Sequence, residues 1–201
     1  MYTRLLLTIG CLWWAGSVSA QTSFADQIAR HRDTYRKEFL TSTSSPLQSQ
    51  EAVDKLTFYA PDSTYRVVAE VARIEKAEPF DMPTYSGKKQ PYVAYATVSF
   101  TLHGQPQQLT IYRSLNLQRM PEYRDYLFLP FKDATSGKET YGGGRYLDLR
   151  LGEIKDGRLT LDFNKAYNPY CAYADGYSCP IPPKGNILPV AIEAGEKAYE
   201  H

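Results

Sequence analysis

The sequence predicts a mainly β domain: an antiparallel curled sheet or small barrel of about eight strands, preceded by an N-terminal helix. Three observations predict it. Segments rich in β-branched and aromatic residues recur from Leu56 onward. They follow one another without intervening helices, which favours antiparallel pairing. Helical spacing of apolar residues is clear over residues 24–40 and nowhere later. With 201 residues, 43% hydrophobic and 22% charged, the chain can bury a core of one domain. This composition excludes a disordered tail, a coiled coil or a collagen-like chain. Basic and acidic residues number 23 and 22. Nucleic-acid binders carry a basic excess, so none is expected as a partner.

Residues 1–20, MYTRLLLTIGCLWWAGSVSA, read as a signal peptide. Arg4 precedes an apolar run from Leu5 to Trp14, and Val18-Ser19-Ala20 forms an A-x-A-like site before Gln21. A membrane-spanning helix needs about 20 apolar residues, and this run is shorter. A lipoprotein linkage at Cys11 would require an apolar residue three positions earlier, where Thr8 stands. The expected product is residues 21–201, one β-rich domain, periplasmic or secreted, with no transmembrane anchor after cleavage. Cleavage removes Arg4 and Cys11, which equalises the charges and leaves Cys171 and Cys179. In an exported chain these read first as one disulfide; free thiols or a metal site are the alternatives.

In the mature chain, Phe24, Ile28, Tyr35 and Phe39 mark a helix that Ser23 can cap, with TSTSSP ending it. Ser45-Pro46 can open a short helical turn through Ala52 and Val53. Strands are expected at 56–59, 65–75, 92–102, 108–113, 126–131, 145–151, 158–164 and 187–193. In 92–102, Tyr92, Ala94, Ala96, Val98, Phe100 and Leu102 alternate onto one face. His103-Gly104 begins a turn. Asp156-Gly157 is a two-residue hairpin signal. A hairpin there, with a bulge at Gly152, would set Leu151 against Leu161, Leu149 against Phe163 and Arg150 against Asp162, and so keep the leucines on one face.

Two stretches lack periodicity. Residues 131–144 read FKDATSGKETYGGG, and 162–189 carry four tyrosines, five prolines and both cysteines. Long structureless segments inside a domain are often functional. The runs FKDATSGKETYGGGRYLDL, LDFNKAYNPYCAY and CPIPPKGNILPVAIEAGEK resemble, in this order, the bacterial domain-of-unknown-function family 1684. The resemblance extends upstream through LTFYAPDSTYRV and implies no reaction.

Candidate ligand-binding residues are Lys132, Glu139, Gly142, Gly143, Gly144, Arg145, Tyr146, Asp148, Asn164 and Asn168. The triple glycine leads into a strand rather than a helix, and Ser136-Gly137-Lys138 is followed by Glu139, so no phosphate loop is read. It serves either as a tight loop or as a ligand contact. Lys132, Asp133, Glu139, Arg145, Tyr146, Asp148, Asn164 and Asn168 either converge as a ligand site, with arginine or lysine taking an anion, or tie two coils to the sheet. Asp148 and Asp162, on neighbouring strands, are the carboxylates a glycosidic hydrolase would use; otherwise they pair with nearby cations or amides. Tyr167, Tyr170, Tyr173 and Tyr177 offer stacking surfaces for a sugar or partner. No nucleophile elbow, metal set or cofactor motif appears, so neither cofactor nor metal is expected. The leading expectation is an exported protein that binds a small polar or anionic ligand or an envelope component. A hydrolase using carboxylates near the glycine-rich loop is the alternative, and a structural or assembly module the third.

Overall fold

The computed structural model describes residues 22–200. The leader, its Ala20–Gln21 junction and Cys11 lie outside the described residues.

Helix α1 spans Phe24–Thr41, and Ser23 caps it by accepting the Asp26 N–H. It buries Ile28 and Phe39. A short α2, Gln50–Asp54, is capped by Ser49. Seven strands follow: β1 Arg66–Arg73, β2 Phe80–Pro83, β3 Lys89–Leu102, β4 Gln105–Ser114, β5 Tyr126–Phe131, β6 Arg145–Arg150 and β7 Arg158–Asp162. They form one antiparallel sheet in the order β6-β5-β4-β3-β1-β7, with β2 pairing the start of β3. The sheet curls into a half-barrel. The β3–β4 turn places His103 and Gly104 at positive φ, as a primed two-residue hairpin requires.

The concave face holds the main core. Val98, Phe100, Leu109, Ile111, Leu127, Leu129, Leu147, Leu149, Leu159 and Leu161 meet there. A second cluster, Met82, Tyr92, Tyr112, Phe128 and Tyr146, comes from the opposite positions of the same strands. The alternation expected across 92–102 is therefore broken. A bulge between Ala94 and Ala96 reverses the facing, so Tyr92 joins the second cluster while Ala96 and Val98 face the main core.

The expected pairing of residues 145–151 with 158–164 does not form. Asp156 and Gly157 do make the tight turn, with Lys155 and Arg158 exchanging backbone hydrogen bonds of 2.9 and 2.8 Å. Beyond that pair the strands diverge. Leu151–Glu153 coil into a 3-10 turn, held by the Glu153 carboxylate on the Arg150 N–H at 2.7 Å. β6 pairs β5 and β7 pairs β1, so Leu149 faces Leu127 and Leu161 faces Val67 in register. The leucines keep their inward facing with different partners. Arg150 pairs with Asp125, and Asp162 with Arg66.

The strands expected at 56–59 and 187–193 reduce to single bridges, Phe58 with Glu196 and Lys132 with Ile187. In the second, backbone bonds from Lys132 to Asn186, from Leu188 to Lys132 and from Ala134 to Val190 hold the segment, and side chains extend the contact. The Ile192 N–H donates to the Asp133 carboxylate, and Arg145 donates to the Ile192 carbonyl. Asn186 does similar work between β4 and β5, which share one register pair, Tyr112 with Phe128. Its buried amide accepts from the Thr110 N–H and donates to the carbonyls of Thr110 and Pro130. Cys171 and Cys179 are joined in a disulfide.

Candidate functional site

The sheet order puts β6 and β7 at its two ends, although one short turn connects them. The half-barrel thus has a seam, and a cleft of about 660 Å³ opens there. Three structures wall it. The edges of β6 and β7 contribute Tyr146, Asp148, Thr160 and Asp162. Helix α1 contributes His31, Tyr35 and Glu38, spaced four and three residues apart and so on one face. The coil after β7 contributes Lys165, Tyr167, Tyr170 and Tyr177. Tyr167 is fixed against β6 by a two-way backbone bond with Tyr146, 2.9 and 3.1 Å. The disulfide holds the loop that carries Tyr177.

Asp148 stands on the cleft wall. The hydroxyls of Tyr126 and Tyr167 both donate to its Oδ1 at 2.7 Å. Among the described residues, none donates a hydrogen bond to its Oδ2. The carboxylate opens on the cleft but is surrounded by protein. That desolvation raises its pKa above the ordinary carboxylate value, opposed by the two tyrosine hydroxyls and then by Arg150. Asp162 differs. Arg66 binds its Oδ2 through two nitrogens at 2.8 and 2.7 Å, and Asn164 donates twice to its Oδ1. Both oxygens are committed. His31 has its pKa lowered by burial and next by Lys165, which favours the uncharged imidazole.

The other residues expected at a site separate into distinct places. Arg145 is fully buried behind β6. It forms an ion pair with Asp133 at 2.9 Å and donates to the backbone carbonyls of Ile192, Ala194 and Glu196. Asn164 is buried and clamps the backbone of Asp62 from both sides, at 2.8 Å each. Asn168 is buried beside Glu196 and donates its side-chain amide to the Lys197 carbonyl. Lys132 and Glu139 lie off the cleft. Gly143 and Gly144 mark close approaches. A Cβ on Gly143 would clash with the Tyr141 ring, and one on Gly144 would meet the Phe131 carbonyl at 2.6 Å. Gly142 is exposed beside Gly137. Of these residues, the structure brings Tyr146 and Asp148 to the cleft.

Sequence reasoning missed the contribution of α1. His31 reads as a helix-surface residue and Tyr35 as part of the apolar face. The spacing of His31, Tyr35 and Glu38 was the available signal, because a polar and aromatic stripe on a packed helix needs a reason. Tyr126 carried no signal at all, since its partner is set by the β5–β6 register. Among the described residues, no group of three or more His, Cys, Asp or Glu is placed to hold a metal ion.

Comparison with known proteins gives a family match and a likeness to a solved structure. The sequence model of a family described as "Protein of unknown function (DUF1684)" matches residues 51–197. The solution NMR structure of an uncharacterized protein of Haloarcula marismortui is 38% identical, with a TM-score of 0.65. The match covers 86% of this chain and 92% of that one. Among curated proteins none matches.

Proposed function

We propose that this chain, which belongs to the DUF1684 family of proteins of unknown function, is an exported protein that takes a small polar ligand into the seam cleft. One observation carries the reading: the sheet leaves its two edge strands apart, and the space between them is a walled cleft rather than a packed contact. Ligand pockets have this character, concave and largely preformed, with aromatic walls and a few placed polar groups. Of the two chemistries expected from sequence, polar and anionic, the acidic lining supports the first. Arg145, the expected anion binder, is engaged in holding the C-terminal coil. The hydrolase reading loses its second carboxylate, because both oxygens of Asp162 are taken. Export rests on the leader-like residues 1–20, and the disulfide agrees with it. Among the described residues, no helix is long and apolar enough to cross a membrane.

The test is a thermal-shift screen of the purified protein against sugars, organic acids, amines and nucleotides, with Thr160→Trp as control. Thr160 is exposed on the cleft wall, so a larger side chain fills the cleft without entering the core. A ligand at 100 times its Kd adds about 2.7 kcal/mol, a rise in Tm of several degrees. A hit lost in Thr160→Trp places the site in the cleft. A hit indifferent to Thr160→Trp, or silence across the panel with both proteins folded, overturns the reading. The mass of the exported protein tests the leader: its chain should begin at Gln21.

A further inference from the structure

The cleft is unusual in what its polar groups have left to offer. Six tyrosines line it, yet their hydroxyls are largely spent inside the protein. Tyr35 donates to Glu196, Tyr146 to the Pro180 carbonyl, Tyr167 to Asp148 and Tyr177 to the Ser44 carbonyl. Tyr35, Tyr167 and Tyr177, which are half-buried, therefore offer ring surface rather than hydroxyl donors to a ligand, while Tyr146 is buried behind them. Tyr167 is held in place by Tyr146, the two rings meeting edge to face at 89° with centroids 5.9 Å apart.

What remains is acidic. Glu38 and Asp148 line the cleft, Glu153 lines it with one oxygen on the Arg150 N–H, and Arg66 neutralises the fourth carboxylate, Asp162. Lys165 is the cation opposing them, beside His31, whose burial favours the uncharged form. The Oδ2 of Asp148 is an acceptor without a donor among the described residues. A sugar needs donors and acceptors in comparable number. A cation needs acceptors, negative charge and π faces, and it gains from both the ring quadrupole and a partly desolvated carboxylate.

We propose that the ligand of the seam cleft is a small organic ammonium ion, seated against the tyrosine rings with Asp148 as its counter-ion. This rests on the reading of the cleft as the binding site and names the chemical class that site takes. A quaternary ammonium and a primary amine share the chemistry and differ in hydrogen bonding. The first relies on ring contact alone, whereas the second also donates to the Asp148 Oδ2.

Calorimetric titration of the protein with choline, with 1,5-diaminopentane and with 3,3-dimethylbutan-1-ol tests the proposal. The last is the neutral isostere of choline. At least one of the two cations should bind ten or more times tighter than the neutral alcohol. Asp148→Asn, which keeps an acceptor for Tyr126 and Tyr167, should weaken that cation at least tenfold while Tm and near-UV circular dichroism hold. Should Asp148→Asn fail to fold, Glu38→Gln on the exposed face of α1 takes its place, with a severalfold loss expected. Equal affinity for cation and isostere overturns the proposal, as does cation binding unchanged in the folded Asp148 variant. A neutral sugar that binds and is lost in Thr160→Trp, with neither cation binding, overturns it and leaves the cleft as a binding site. Silence of every probe in both proteins overturns both readings.

Discussion

Glu196 is a carboxylate that the fold places where charge is costly. It is buried, and it accepts hydrogen bonds from the Tyr173 hydroxyl at 2.6 Å, the Asn168 N–H at 2.9 Å and the Tyr35 hydroxyl at 3.0 Å. Burial outweighs these donors and pushes its pKa from 4.5 up to about 7. As pH rises, the unfolded chain releases this proton first, so the folded chain holds more protons in between. The stability it contributes is fully present below pH 4.5 and falls as pH rises through 7. The size of this effect is about 3 kcal/mol. Glu196→Gln removes the ionisation and keeps the shape. Urea unfolding at a series of pH values should show the variant gaining about 2–3 kcal/mol on the parent between pH 5 and pH 8. Parallel stability curves for the two proteins would mean that Glu196 titrates normally. Nothing in the local run EAGEK announces this: Glu196 is buried only because the coil packs against Tyr35 and Tyr173, and Gly195, at positive φ, lets it approach so closely that a Cβ there would lie 2.6 Å from the Ala166 carbonyl.

At the scale of elements, Asn186 is the residue whose removal should cost most per atom. β4 and β5 splay apart after Tyr112 and Phe128, and the Asn186 amide fills the gap as a one-residue stand-in for a strand. Removing it strands a buried N–H and two carbonyls, each worth about 1–3 kcal/mol when unsatisfied. Asn186→Ala should therefore lose about 3 kcal/mol or more in denaturant unfolding. Asn186→Leu, which restores volume without the amide, should lose a similar amount; recovery by leucine would assign the loss to the cavity instead. The same element shows what sequence can reveal. Local signals were readable: the Ser23 cap, the His103-Gly104 and Asp156-Gly157 turns, and the inward leucines of β6 and β7. Partner choice was not. The turn at Asp156-Gly157 suggests a hairpin, but the Glu153 carboxylate closes a 3-10 turn three residues earlier and sends the two strands to opposite ends of the sheet. Alternation fixes a side chain's face, while pairing depends on contacts far away in sequence.

Across the whole molecule, the half-barrel is held shut at its seam by the Tyr146–Tyr167 backbone bridge and by side chains, among them Arg145. Arg145 joins β6 to Asp133 in the 132–144 loop and to three carbonyls of the C-terminal coil. The cleft follows from this arrangement: with closure supplied by that bridge and from behind β6, the rest of its front edge and that of β7 are left open to a ligand. Sequence shows the long polar loop and the tyrosine-rich coil as unusual, and Tyr146 and Asp148 as neighbours of interest. Alternation puts Arg145, with Leu147 and Leu149, on the inward face and Asp148, three residues on, on the other; it does not show the partners each meets there, which come from Asp133, the C-terminal coil and Tyr167. That difference sets a contrast between two variants. Arg145→Met leaves Asp133 buried without its partner and three carbonyls without donors, and should cost about 3–5 kcal/mol. A domain of this kind has about 5–15 kcal/mol in total, so the variant should sit near the edge of folding. Asp148→Asn keeps its hydrogen bonds and faces the cleft, and should change stability by less than about 1 kcal/mol. Equilibrium unfolding of the two variants beside the parent measures both. Similar losses in the two would mean that Asp148 belongs to the frame; a mild loss in Arg145→Met would move closure of the half-barrel onto α1 and the disulfide loop.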